Sequence, residues 1–127
     1  MITFYHYTCE HGRRALGNKG VVYPLDIWNP RVARVIRKGK YPMMAALAWF
    51  TDLDTPIPFA LGLTRRTLTC DRTEFRYRVI DDSDVVPWLS PPMQPARRSL
   101  IRLERELGAL PRHWFVSLVG VPVAFDP

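Results

Sequence analysis

The chain predicts an α+β domain on a mixed or antiparallel sheet, with a short helix near the N-terminus and one longer helix near the C-terminus. Three observations lead there. Residues 2–8 mix β-branched and aromatic types, and residues 73–80 alternate apolar with charged side chains at a period of two. Residues 45–51 form an almost wholly apolar run, the pattern of a strand covered on both faces. Leu100, Leu103, Leu107 and Leu110 recur three to four residues apart, which gives a helix one apolar stripe.

Taken in order, Ile2 to Thr8 is a strand with Phe4 and His6 on one face and Tyr5 and Tyr7 on the other. Cys9 to Gly17 carries an acid early and arginines late, so a short helix follows despite Gly12, stopped at Gly17-Asn18. Gly20 to Pro24 is a brief second strand closed by proline. Between Asn29 and Tyr41, Arg31, Arg34, Arg37, Lys38 and Lys40 interleave with Val32, Val35 and Ile36, a basic amphipathic turn or ordered loop. Ala45 to Thr51 is a central strand, expected to lie beside the first one directly or through a neighbour. Pro56 and Pro58 make 54–63 a loop with one helical turn. Thr67 to Cys70 is a short strand and Thr73 to Ile80 a longer one, with Phe75, Tyr77 and Val79 on one face and Glu74, Arg76, Arg78 and Ile80 on the other.

A proline-rich loop around WLSPPMQP leads into the longer helix, from Pro95 to Leu107, with its leucines inward and Glu104 and Glu106 turned to water. His113 to Phe125 is strand-like, broken in two by Gly120 and Pro122. At 127 residues and 47 % hydrophobic, the chain is expected to form a single compact domain over 1–127.

Composition narrows the function classes. The longest apolar stretch, Met43 to Phe50, is far short of the ~20 residues of a spanning helix. No cationic segment precedes an apolar one at the N-terminus, so no membrane association is expected. Two cysteines are too few for a disulfide scaffold, and the expected location is cytoplasmic. The net charge is +6, carried by 15 arginines and 3 lysines. Such a balance favours polyanionic partners, while a GC-rich genome produces the same arginine bias without function. There is no phosphate-binding glycine loop, nucleophile elbow or HExxH motif.

Three constellations could carry chemistry. His6, Cys9, His11 and Cys70 are zinc-ligand types without a recognised zinc spacing, and small buried thiols are the alternative. Arg31, Arg34, Arg37 and Lys38, with Arg65-Arg66 and the alternating FRYRV, place cations among aromatics as nucleic-acid-binding surfaces do. The alternative there is a solvated surface. The third is YHYTCEHG, in which His6 and Thr8 share a strand, followed by a short helix, a glycine and a second strand. With AWFTD, a core strand ending in a hydroxyl residue, and TEFRYRV, a late strand opened by an acid, it resembles the ADP-ribosyltransferase-like superfamily over about residues 2–80.

That resemblance implies NAD bound in a cleft between two small sheets. His6 and Thr8 would contact the nicotinamide-side ribose and amide, Trp49 or Thr51 would enter the same cleft, and Glu74 would be catalytic. A carboxylate there would stabilise the oxocarbenium character that develops when the bond to nicotinamide breaks. Such an enzyme would transfer ADP-ribose to a nucleic acid or a host protein, as a phage or toxin-type effector does. The competing expectation is a small basic protein that binds nucleic acid or a host protein without catalysis; for the residues themselves the alternative is that His6 is a satisfied core or surface histidine and that Glu74 pairs with Arg72, Arg76 or Arg78.

Overall fold

A computed structural model describes residues 2–28, 46–57, 72–99 and 101–127, with the isolated positions 30, 31, 34 and 38. The fold is α+β. Seven antiparallel-paired strands form one sheet in the order β2-β7-β4-β1-β3-β6-β5. The strands are β1 (Tyr5–Thr8), β2 (Lys19–Val22), β3 (Ala48–Thr51), β4 (Phe75–Val79), β5 (Val86–Pro87), β6 (Trp114–Ser117) and β7 (Val121–Phe125). Helix α1 (Glu10–Leu16) joins β1 to β2, and α2 (Leu25–Trp28) follows β2. Between β5 and β6 lie a 3₁₀ turn at Pro91–Met93 and the helical segments α3 (Gln94–Ser99) and α4 (Ile101–Glu104).

The strand expected to contain Trp49 does pair directly with β1, Tyr5 standing opposite Thr51. The strand predicted at Thr67 to Cys70 and most of the basic segment lie outside the described residues. Neither β5, in the unassigned stretch just before the proline-rich loop, nor α2 was anticipated by the pattern reading. A two-residue strand and a four-residue helix are each too short to display a period.

Register divides the side chains between two faces. Directly opposed residues of an antiparallel pair point the same way. His6 opposes Tyr77, and Thr8 opposes Phe75; Tyr77 in turn opposes Phe125. This first face holds the apolar cluster of Val22, Ala48, Phe50, Tyr77, Phe115, Val121 and Val123, with Leu16 of α1 packed against it. Tyr5 opposes Arg78, and Tyr7 opposes Arg76, so these four share the second face.

Helix α1 is fastened over the first face by Arg13, whose guanidinium lies 3.9 Å from the Phe125 ring centroid and donates to the Tyr77 hydroxyl at 3.1 Å. Tyr77 completes the clamp by donating to the Gly17 carbonyl at 2.7 Å. Gly17, at φ 63°, closes α1 in the left-handed region that glycine enters without steric cost.

Among the described residues, the second face is covered at one end. Leu47, Trp88, Met93, Ala96, Trp114 and Val116 form a second core, with Trp49 packed against it. Trp49 and Trp88 approach to 5.0 Å between ring centroids.

Here the helix expectation needs correction. Helical structure ends at Glu104, and Leu107 is 92 % exposed in the turn that follows. Leu100 and the Leu103 side chain lie outside the described set. Glu104, expected to face water, instead has its side chain 8 % exposed and accepts hydrogen bonds from Trp88 Nε1 at 2.6 Å and Arg97 Nε at 2.7 Å. A carboxylate shared by an indole and a guanidinium keeps its charge satisfied inside the fold.

Candidate functional site

Among the described residues, no element covers the second face over β2, β7 and β4, and this stretch is termed the open face. In one row across the strands, Tyr5 opposes Arg78, Arg78 opposes Ala124, and Ala124 opposes Lys19. Three strand spacings of ~4.8 Å make this row about 14 Å long. Arg78 and Lys19 are exposed, Tyr5 and Ala124 half-buried. A second row pairs Tyr7 with Arg76. The Arg76 guanidinium lies 5.1 Å from the Tyr5 ring centroid, donates to the Asp54 carbonyl at 3.0 Å and pairs with Asp126 at 3.3 Å. Tyr7 donates its hydroxyl to the Leu53 carbonyl at 2.8 Å, and burial raises its pKa, with Arg76 opposing.

At this end of the sheet a groove of about 310 Å³ is lined by Tyr7 and Arg76 of the second face and by Phe75 and Phe125, which belong to the first, with Glu74 and Asp126 at its polar side. Glu74 is exposed, one residue before β4.

The residues expected to line an NAD cleft are not on one side of the sheet. His6 and Thr8 are on the first face; Trp49 and Thr51 belong with Tyr5 on the second. His6 donates Nδ1–H to the Trp49 carbonyl at 2.8 Å, and its ring lies 5.7 Å from that of Phe50. Burial lowers its pKa to about 4, with the Trp49 carbonyl opposing and the Arg72 charge adding to the fall, so the ring is neutral at pH 7 with Nε2 as an acceptor. Thr8 is buried beneath α1. Thr51, also buried, accepts the Leu53 N–H on its hydroxyl at 3.1 Å. The groove that Glu74 lines includes none of His6, Thr8, Trp49 or Thr51. Among the described residues all the strands belong to one sheet, where the resemblance implied a cleft between two.

Arg31, Arg34 and Lys38 are exposed, and Arg37 lies outside the described residues. Cys9 Sγ is 3.4 Å from His11 Nδ1, Cys70 is not described, and no group of three metal-ligating side chains occurs among the described residues. No described helix is long and apolar enough to cross a membrane. Sequence reasoning missed the open face as a unit. The alternation of Tyr5 and Tyr7, and of Arg76 and Arg78, was visible, but their shared side depends on the β1–β4 register. Compared with protein-family models, curated proteins and solved structures, the chain matches none.

Proposed function

We propose that this is a small basic binding protein that takes nucleic acid across the open face of its sheet. The observation that supports it is the row of Tyr5, Arg78 and Lys19 on adjacent strands, continued by Arg76 over the Tyr5 ring. Cations interleaved with aromatic surface serve the two parts of a nucleic acid, phosphate and base. A net charge of +6 adds long-range attraction for the same partner. The test is fluorescence anisotropy of a labelled single-stranded oligonucleotide at several salt concentrations. Arg78→Glu, which places a like charge against phosphate on an exposed strand position, should weaken binding at least about tenfold at low salt. Unchanged affinity would remove the face from the interface.

A second reading is an ADP-ribosyltransferase-like enzyme using NAD, acting on a nucleic acid or host protein in a cytoplasm. What favours it is that the three strands carrying the resembling motifs, β4, β1 and β3, are neighbours, with His6 neutral and its Nε2 able to accept from a ribose hydroxyl. Calorimetric titration with NAD⁺, followed by assay of released nicotinamide, separates the two readings. Heat of binding and nicotinamide release would favour the enzyme, and neither is expected of the binding protein.

A further inference from the structure

Resting on the nucleic-acid reading, we infer that the open face takes a single strand with unpaired bases, which lie on an apolar strip beside the cations. The strip follows from the register. Ile80 donates its N–H to the Pro122 carbonyl at 2.9 Å, continuing the β4–β7 ladder by one pair, and Pro122 opposes Val21 of β2. Ile80, Pro122 and Val21 each stand two residues along their strands from Arg78, Ala124 and Lys19, so they form a parallel row on the same face. Ile80 is 56 % exposed, Val21 37 %, and Pro122 is exposed as well. Tyr23, two residues beyond Val21 and 42 % exposed, extends the row. Its ring and the Val21 side chain converge over Gly120, where a Cβ would overlap both. The glycine therefore seats the ring against the sheet while much of its surface stays in water.

The two rows differ in chemistry. Two residues of strand set them about 6.8 Å apart, a separation that one nucleotide spans between its phosphate and its base. Beyond the apolar row the charge turns negative, because Asp81 and Asp82 follow Ile80 and are exposed. Phosphates are thereby confined to the side of Arg78 and Lys19.

This pairing of rows selects among polyanions. A duplex turns its base faces inward and offers phosphates and groove edges, so it would leave the apolar row against charge or water. An unpaired strand supplies both parts, phosphate to the cations and base to the strip. Every base has an apolar face, so the strip distinguishes single strand from duplex and tolerates any sequence. A second copy of the chain fits less well, since it brings a net charge of +6 against +6.

The test compares three labelled probes of equal length by anisotropy at several salt concentrations: oligothymidylate, an abasic strand with the same phosphates, and a thymidine–adenosine duplex. Oligothymidylate should bind at least about tenfold more tightly than the abasic strand, and more tightly than the duplex. Tyr23→Ala should weaken oligothymidylate binding at least about fivefold. Because it leaves Arg78 and Lys19 in place, it should keep abasic affinity within about twofold and the salt slope unchanged. Ile80→Ser, at an exposed position on another strand, should lower the same ratio. Equal affinity for thymidine and abasic strands, a duplex bound as tightly as oligothymidylate, or a ratio that survives in both variants overturns the strip and leaves the nucleic-acid reading standing. Failure of every probe to bind overturns both. Tighter binding of a peptide alternating leucine and glutamate, displacing oligothymidylate, or self-association of the free protein that Tyr23→Ala abolishes, overturns the strip by assigning it to a protein.

Discussion

His6 makes stability depend on pH, and the direction follows from its surroundings. In the unfolded chain the imidazole titrates at about 6.5, whereas in the fold burial lowers its pKa to about 4. Between these values the unfolded state binds the extra proton, so stability rises with pH through this window. Acidification from pH 7 toward 4 should therefore remove up to about 3 kcal/mol on account of His6 alone. Urea unfolding at several pH values would show this decrease. His6→Asn, whose amide can still donate to the Trp49 carbonyl but does not titrate, should flatten the dependence over that window; an unchanged profile would assign the acid sensitivity to other groups. The side of the strand on which His6 lies was legible, because alternation from Phe4 to Thr8 is a local property. Its separation from Trp49 and Thr51 was not. That depends on Tyr5 meeting Thr51, and a slip of one residue in the β1–β3 pairing would have placed them on the same side.

Among the elements, α1 shows how a residue unfavourable for its own helix is required by the next layer. Glycine in a helix interior costs about 0.5–1 kcal/mol relative to alanine, which makes Gly12 a defect when α1 is considered alone. A Cβ at this position would overlap Thr8 Oγ1, so the close approach of α1 to β1 excludes one. Gly12→Ala should therefore destabilise the protein by about 1–3 kcal/mol rather than raise its stability. Thr8→Ala in the same chain should relieve most of that penalty, and the shortfall from additivity in a thermal-denaturation double-mutant cycle would measure the interaction. Additive effects would show that the two residues do not compete for this space. The C-terminal helix departs from its local pattern in the opposite sense. Leucine spacing anticipated helical structure here, since a period is written in the sequence, but its extent and the placement of Glu104 were not legible. The helix ends at Glu104, before Leu107, and the carboxylate turns inward because Trp88, sixteen residues earlier, supplies an indole N–H. The partner of a buried acid is a non-local fact.

On the scale of the whole molecule, the described residues seal one face along β1, β4 and β7 with α1 and the other over β3, β6 and β5. The asymmetry leaves a cationic surface on β4 and β2. Exposed Arg31, Arg34 and Lys38 add to a net charge of +6. If the basic segment touches phosphates of its own, replacing Arg31, Arg34, Arg37 and Lys38 together by serine should lower affinity and flatten its dependence on salt. Each phosphate left without its cation on a single strand should reduce the slope of log affinity against log salt by about 0.7, so removing four such cations would change it by roughly 3. Arg78→Glu should also change the slope, because it removes a cation and adds an opposing charge. A slope unchanged within about 0.5 would mean that the segment neutralises less than one phosphate. The open face would then bind its strand without the segment, whose charges would act through solubility and through long-range attraction that salt screens over a Debye length of about 10 Å.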